Sequence, residues 1–239
     1  MRASDLALDV RQLSVLLRGE PGLISSWVRG WTMNRVLLYI AVIFVGAGCY
    51  GAAMGYWRDP LQAFYTGLKF PLVILLTTLG NGLLNGMLAP LLGLNIGFRQ
   101  SLLVIFMSFT IAAAILGSFS PLMLFLVWNT PPVSALSGTV SVAYSFMQLA
   151  TVVMIAFAGV MANVRLVPVL RELSGSSAVA HKVLFAWLAV NLLLGSQIIW
   201  ILRPFIGNPA IPVEFLSVHA FEGNFFEAVF QAAQHLLFR

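Results

Sequence analysis

Apolar residues run almost unbroken over about 36–56, 69–94, 101–128, 139–163 and 183–202, with short polar stretches between them. Each run reaches the roughly 20 residues that a helix needs to cross a bilayer. A helix is also the one single-segment structure that satisfies its own backbone in lipid. The pattern therefore predicts five transmembrane helices. The second run carries Pro71, Gly80, Gly82, Gly86 and Pro90 and is expected to be interrupted there, because proline removes a helical hydrogen bond. The third is long for one span and has Pro121 near its end, which fits a tilted, kinked or broken helix. The polar connections are 57–68, with Trp57, Arg58, Asp59 and Pro60, the uncharged loop 129–138, and the charged stretch 164–182.

Both ends read as amphipathic. Leu6, Val10, Leu13 and Leu17 recur at helical spacing, with Asp5, Asp9, Arg11 and Arg18 between them. Ser4 is a suitable N-cap, and Gly19 with Pro21 ends the helix. Such a helix beside a membrane lies in the interface or docks on a partner. Trp27 and Trp31 follow where interfacial aromatics belong. At the other end, Phe225, Phe226, Val229, Phe230, Ala233 and Leu237 share one face of a helix over about 223–238. Glu222 and Glu227 stand toward its start and Arg239 at its end, which suits the helix dipole. Its span of about 24 Å falls short of a hydrocarbon core of about 30 Å. It is expected to lie along the membrane or against a neighbouring subunit, turned back by Pro204, Gly207, Pro209 and Pro212. The chain thus divides into a cytoplasmic or interfacial segment 1–35, a five-span domain 36–203 and an outer-face tail 204–239.

Composition narrows the class further. Hydrophobic residues make up 60% of the 239 and charged ones 9%, against about 25% charged in ordinary soluble domains. Mean hydropathy is +0.94. A soluble enzyme, a disordered chain and a disulfide-rich domain are excluded, the last because Cys49 is the single cysteine. The fold class is an all-α integral membrane protein of about five spans with amphipathic interfacial helices at both ends. The first apolar run starts near Val36, too far in for a cleaved leader, and is expected to act as an uncleaved signal anchor.

The net charge of +5 reads as the lysine and arginine bias that orients spans. With the N-terminus inside, Arg2, Arg11, Arg18, Arg29, Arg35, Arg99, Arg165, Arg171 and Lys182 fall on the inner side. Arg58, Lys69, Arg203 and Arg239 fall on the outer side. That imbalance favours N-in and C-out, in a membrane expected to be the bacterial inner one. Trp57, Trp128 and Trp200 then lie at outer ends of spans, and Trp27, Trp31 and Trp187 at inner ends. No basic, aromatic-rich polar stretch suggests nucleic acid.

Candidate chemistry is sparse. Asp5, Asp9, Glu20, Asp59, Glu172, Glu214, Glu222 and Glu227 are all the acids, and every one lies outside the five runs, as do His181, His219 and His235. Proton relays and intramembrane metal sites need such groups at depth, so no enzyme, cofactor or metal is expected. Ala47, Gly51 and Gly55, and Gly82 with Gly86, form small-residue stripes that let helices approach closely. They serve packing within the chain or a partner face. The amides Asn81, Asn85, Gln148, Asn191 and Gln197 need partners in lipid and are expected inside the bundle, as interhelical bonds or as a path for a neutral solute. Arg203, just before Pro204, is placed to reach an anionic lipid headgroup or Glu214.

The segments YTGLKFPLVILLTTLGNGLLNGMLAPLLG (65–93), SQIIWILRPFIGNPAIPVEFL (196–216) and EGNFFEAVF (222–230) resemble a group of bacterial multi-span proteins loosely related to the Yip (Ypt/Rab-interacting) family. The resemblance implies a cytosolic N-terminus, five spans and a short far-side tail, and a scaffold or adaptor with no catalytic residues. The expected function is therefore a non-enzymatic membrane subunit or scaffold, homo- or hetero-oligomeric, that packs with or recruits partner proteins. The alternative is a channel or facilitator for a small neutral or lipidic solute. Topology reporters fused before Met1 and after Arg239 are expected to fall on opposite sides of the membrane. Finding both in the cytoplasm would mean an even span count.

Overall fold

A computed structural model describes residues 11–131, 142–207 and 212–237, without the side chains of His235 and Leu236. Ser4, Leu6 and Val10 of the expected first helix, most of loop 129–138, the start of the fourth run, Pro209 and Arg239 lie outside the described residues. Among the described residues the structure is all helical: α1 (Arg11–Arg18), α2 (Pro21–Arg29), α3 (Met33–Gly55), α4 (Pro60–Leu91), α5 (Phe98–Asn129), α6 (Val142–Arg165), α7 (Val167–Ser174), α8 (Ser177–Ile201) and α9 (Phe225–Leu237). The spans based on α3, α4, α5, α6 and α8 are long and apolar enough to cross a membrane. The chain is a multi-pass membrane protein.

Two boundaries differ from the sequence reading. The polar connection 57–68 is mostly helix, since Asp59 caps α4 by accepting from the Leu61 amide at 2.8 Å and Pro60 follows at the first turn. The second run is not interrupted. α4 continues through Pro71 to Leu91 as one 32-residue helix, because neighbouring helices hold it where proline removes a bond. α5 likewise passes Pro121 as one helix of 32 residues. Each measures about 48 Å, longer than the core of about 30 Å, so both tilt or project beyond it.

The core is the trio α3, α4 and α5, and glycine explains its closeness. A methyl group on Gly51 would stand 2.7 Å from the Thr66 carbonyl oxygen, and one on Gly55 2.6 Å from that of Gln62. On another side of α3, a methyl on Gly46 would stand 2.3 Å from the Ala113 carbonyl oxygen. Ala47 is fully buried within the same helix. On α4, Gly82 and Gly86 leave room for Leu102 and Phe98 of α5. The small-residue stripes are thus occupied within the chain, and the alternative that Ala47, Gly51, Gly55, Gly82 and Gly86 present a partner face is corrected.

At one end, α1, α2 and α7 form a small cap. Leu16, Ile24, Val28, Val169 and Leu170 are buried there, and Ser25 donates to Glu172 at 2.6 Å. Gly19, at φ +71°, makes the turn between α1 and α2. Arg35 donates to the Gly30 carbonyl and lies over the Trp27 ring. The amphipathic N-terminal segment therefore docks on its own chain. Trp187 and Trp57 are buried rather than interfacial. Trp187 lies on the inner face of α8 with Val183 and Leu184, and Trp57 donates to the Pro131 carbonyl at 3.1 Å.

α6 and α8 pack on the outside of this trio, α6 against α5 and α8 against α4. Only 28% and 17% of their most apolar stretches are buried, against 61% in α5, and they touch each other little. α9 packs mainly on α6 and also on α8, so the C-terminal helix is seated within its own chain. Gly46→Ala is expected to destabilise the protein by about 1–3 kcal/mol, since the methyl meets backbone that cannot move aside. Gly159→Ala, where nothing stands within 4 Å, is expected to be neutral or stabilising by up to about 1 kcal/mol. Thermal unfolding of both variants in detergent checks the pair.

Candidate functional site

The tail after α8 is fastened by side chains on one stripe of α4. Gln62, Thr66 and Lys69 follow one another at helical spacing and are each fully buried. Gln62 donates to the Phe205 carbonyl at 3.0 Å, and Thr66 to the same oxygen at 2.7 Å. The Lys69 ammonium donates to the Pro204 carbonyl and, at 2.7 Å, to the Phe215 carbonyl. The Phe205 and Phe215 rings face it with centroids at 5.0 and 5.4 Å. Two carbonyls and two ring faces thus supply the negative potential that a buried cation requires.

The apolar run starts at 69, which puts Lys69 at the outer end of the second span, whereas α4 begins at Pro60 and carries Lys69 into the protein interior. The spacing of Gln62, Thr66 and Lys69, continued by Val73, Thr77 and Asn81, was the available signal of one long stripe.

Arg203 completes the fastening. Its guanidinium donates to the carbonyls of Trp200 at 2.9 Å, Ala220 at 3.0 Å, Glu222 at 3.0 Å and His219. It also stacks over the Trp200 ring at 3.8 Å, while the Trp200 indole donates to the Glu222 carbonyl at 2.8 Å. Partial burial lowers the Arg203 pKa, and the Glu222 carboxylate acts against that. Arg203 was expected to hold an anionic lipid or Glu214. It clamps the tail instead, because five N–H donors in a rigid fork match a cluster of carbonyls.

The amides separate into three groups. Asn85 donates to Asn81 at 3.3 Å, and Asn81 donates to Asn191 across the α4–α8 interface. Asn81 and Asn85 are fully buried, as expected of polar groups in lipid. Gln148 is half-buried on α6 and lines a cavity. Gln197 is exposed, which corrects its place in the interior. It sits one turn beyond Leu193, and both are exposed on the outward face of α8.

Two cavities occupy the gap that α6 and α8 leave. The inner one, about 350 Å³, lies among α4, α5, α6 and α8 and is walled by apolar residues such as Ile74, Leu116 and Ile155. Thr77, Ser108, Asn163, Asn191 and Ser196 supply its polar positions. The mouth, about 670 Å³, lies toward the tail, between α6, α9 and the end of α8. Ser145, Gln148, Thr151, Ser217 and Gln231 line it. Phe70, Val152, Ile155, Ile199 and Phe225 line both cavities, so these side chains stand between them. Both volumes fall in the range of small-molecule sites, about 300–1,000 Å³. Thr77 and Ser145 are 2% and 1% exposed, and their hydroxyls have no hydrogen-bond partner.

No protein-family model, curated protein or solved structure matches this chain.

Lys69→Met removes two hydrogen bonds to the tail and leaves the carbonyls of Pro204 and Phe215 unpaired by it. Cleavage after Glu214 by a glutamate-specific protease is expected to speed up at least about tenfold, the equivalent of one bond to a charged donor. An unchanged rate would mean that Gln62, Thr66 and Arg203 hold the tail without Lys69.

Proposed function

We propose that this chain is a non-enzymatic facilitator for a lipidic solute, which occupies the cleft between α6 and α8. One observation carries the reading: polar side chains mark an otherwise apolar cleft through nearly the full depth of the bilayer. Ser145 and Asn163 on α6 are 18 residues apart, about 27 Å along the helix, close to the hydrocarbon thickness of about 30 Å. Gln148 and Thr151 of α6, Thr77 of α4 and Asn191 of α8 add polar positions between those levels. A headgroup following these positions keeps hydrogen-bond partners while its chain stays among apolar walls, so its desolvation cost falls.

The expectation of a scaffold or partner-recruiting subunit loses two supports. The small-residue stripes are filled by α4 and α5, and the terminal helices dock on their own chain. The Yip-type resemblance enters the proposal as a precedent for five spans with a short far tail. With the N-terminus cytoplasmic, as the basic residues imply, the mouth opens on the outer side.

Reconstitution into liposomes tests the reading. Chain-labelled fluorescent lipids with uncharged, zwitterionic and anionic heads are followed by quenching of the outer leaflet. Transbilayer movement of at least one class is expected to exceed that of empty liposomes. The Asn163→Leu and Asn191→Leu pair is expected to slow it about two- to tenfold, the worth of a hydrogen bond. Rates equal to protein-free liposomes for all three classes would end the proposal.

A further inference from the structure

We infer that the solute is a lipid with an uncharged, glycosyl-type headgroup, seated with the head in the mouth and the chain in the inner cavity. The inference rests on the facilitator reading and adds the chemistry of what is bound.

The argument for the head begins with charge. Among the described residues no acid lines either cavity, so a cationic group finds no counter-charge there. The one permanent cation at the mouth is Arg203, and its guanidinium already donates to four carbonyls and covers Trp200. His219, which also lines the mouth, is bonded through its ring to Glu222 at 3.0 Å. An anionic head would compete with these carbonyls for the guanidinium that holds the tail. A zwitterionic head meets both difficulties.

What remains at the mouth donates and accepts without charge. Gln148, Gln231, Ser145 and Ser217 each do both, and hydroxyl groups are their natural complement. The Ser145 hydroxyl is buried and unpartnered, a group that a ligand hydroxyl would satisfy. A head with several hydroxyls uses the mouth's 670 Å³ as a single small hydroxyl would not.

The chain follows from what lies behind. Val152, Ile155, Ile199 and Phe225 carry the wall from the mouth into the inner cavity, where Val73, Ile74, Ala112 and Leu116 continue it. An alkyl chain fits that lining at no polar cost. Thr77, another unpartnered buried hydroxyl, stands deeper, at a level a head reaches only in transit.

The test uses the full chain in phosphatidylcholine nanodiscs and an alkyl glucoside with a photoreactive diazirine in its chain. Labelling is mapped by peptide mass spectrometry. Adducts are expected on residues 152–160 of α6 and 188–199 of α8, competed by unlabelled alkyl glucoside and not by alkyl sulfate or alkyl phosphocholine of the same chain length. Ser145→Ala is expected to weaken labelling about two- to tenfold, with Ser145→Thr retaining it and Gln197→Leu, on the outward face, leaving it unchanged.

Adducts scattered over the lipid-facing surface, or equal competition by the charged heads, would overturn the inference. The competition arm needs no variant, so a misfolded mutant leaves it decisive. Selective labelling without accelerated transbilayer movement would keep this site and sink the facilitator reading. Movement of charged lipids without glucoside preference would do the reverse.

Discussion

The backbone of α3 lies against carbonyl groups of α4 and α5 at separations that admit no side chain. A β-carbon on Gly46, Gly51 or Gly55 would fall within 2.3–2.7 Å of a carbonyl oxygen. In a membrane this closeness replaces the hydrophobic drive, since lipid tails are as apolar as leucine and packing must supply the attraction. The contact draws three helices into one tight unit and consumes the small residues on its faces. α6 and α8 carry one glycine each, against four each in α3 and α4, and do not close on each other in the same way. Their looseness therefore follows from where glycine is absent as much as from where it is present.

A second constraint acts on the polar groups. Lipid offers no hydrogen bonds, so each buried donor must find an acceptor in the chain. No carboxylate pairs with Lys69 among the described residues, and backbone carbonyls take that role at Pro204 and Phe215. Helix interiors cannot lend carbonyls in this number, because their oxygens are already engaged. The non-helical tail can, and so the tail is drawn against the helices by both Lys69 and Arg203. One consequence is positional: α9 is delivered to the open flank, where its first residue, Phe225, reaches both cavities.

The five spans, the amphipathic ends and the buried Asn81 and Asn85 were legible in the sequence, because apolar run length and the cost of a bare amide in lipid are local properties. The continuity of α4 through Pro71 was not. A proline break is a local expectation, and support from neighbouring helices is a tertiary fact. Lys69 was misplaced for a related reason: a cation at the edge of an apolar run looks like the end of a span until the carbonyls that receive it are known. Arg203 reads as a headgroup ligand in a linear chain, since its acceptors lie 16 to 19 residues onward in an irregular segment. The cavities had no sequence signal at all. They exist because two helices fail to meet, and absence of contact leaves no periodic mark.

Within the cleft the rule of internal satisfaction is broken at particular points. Asn81, Asn85 and Asn191 are linked by hydrogen bonds, and Gln62, Thr66 and Lys69 donate to the tail, while the Gln62 and Asn85 side-chain oxygens stay unpaired. Thr77 and Ser145 are the contrast. Each sits on a helix face where valine or alanine would fit the packing without leaving a hydroxyl unpaired, and an unpaired buried hydroxyl costs about 1–3 kcal/mol. Both line the cavities and neither belongs to the tight trio's glycine contacts. Unpaired buried hydroxyls also occur away from the cleft, at Tyr39, Ser101 and Ser120; what distinguishes Thr77, Ser145 and Thr151 is that they line open volume that a ligand hydroxyl can enter.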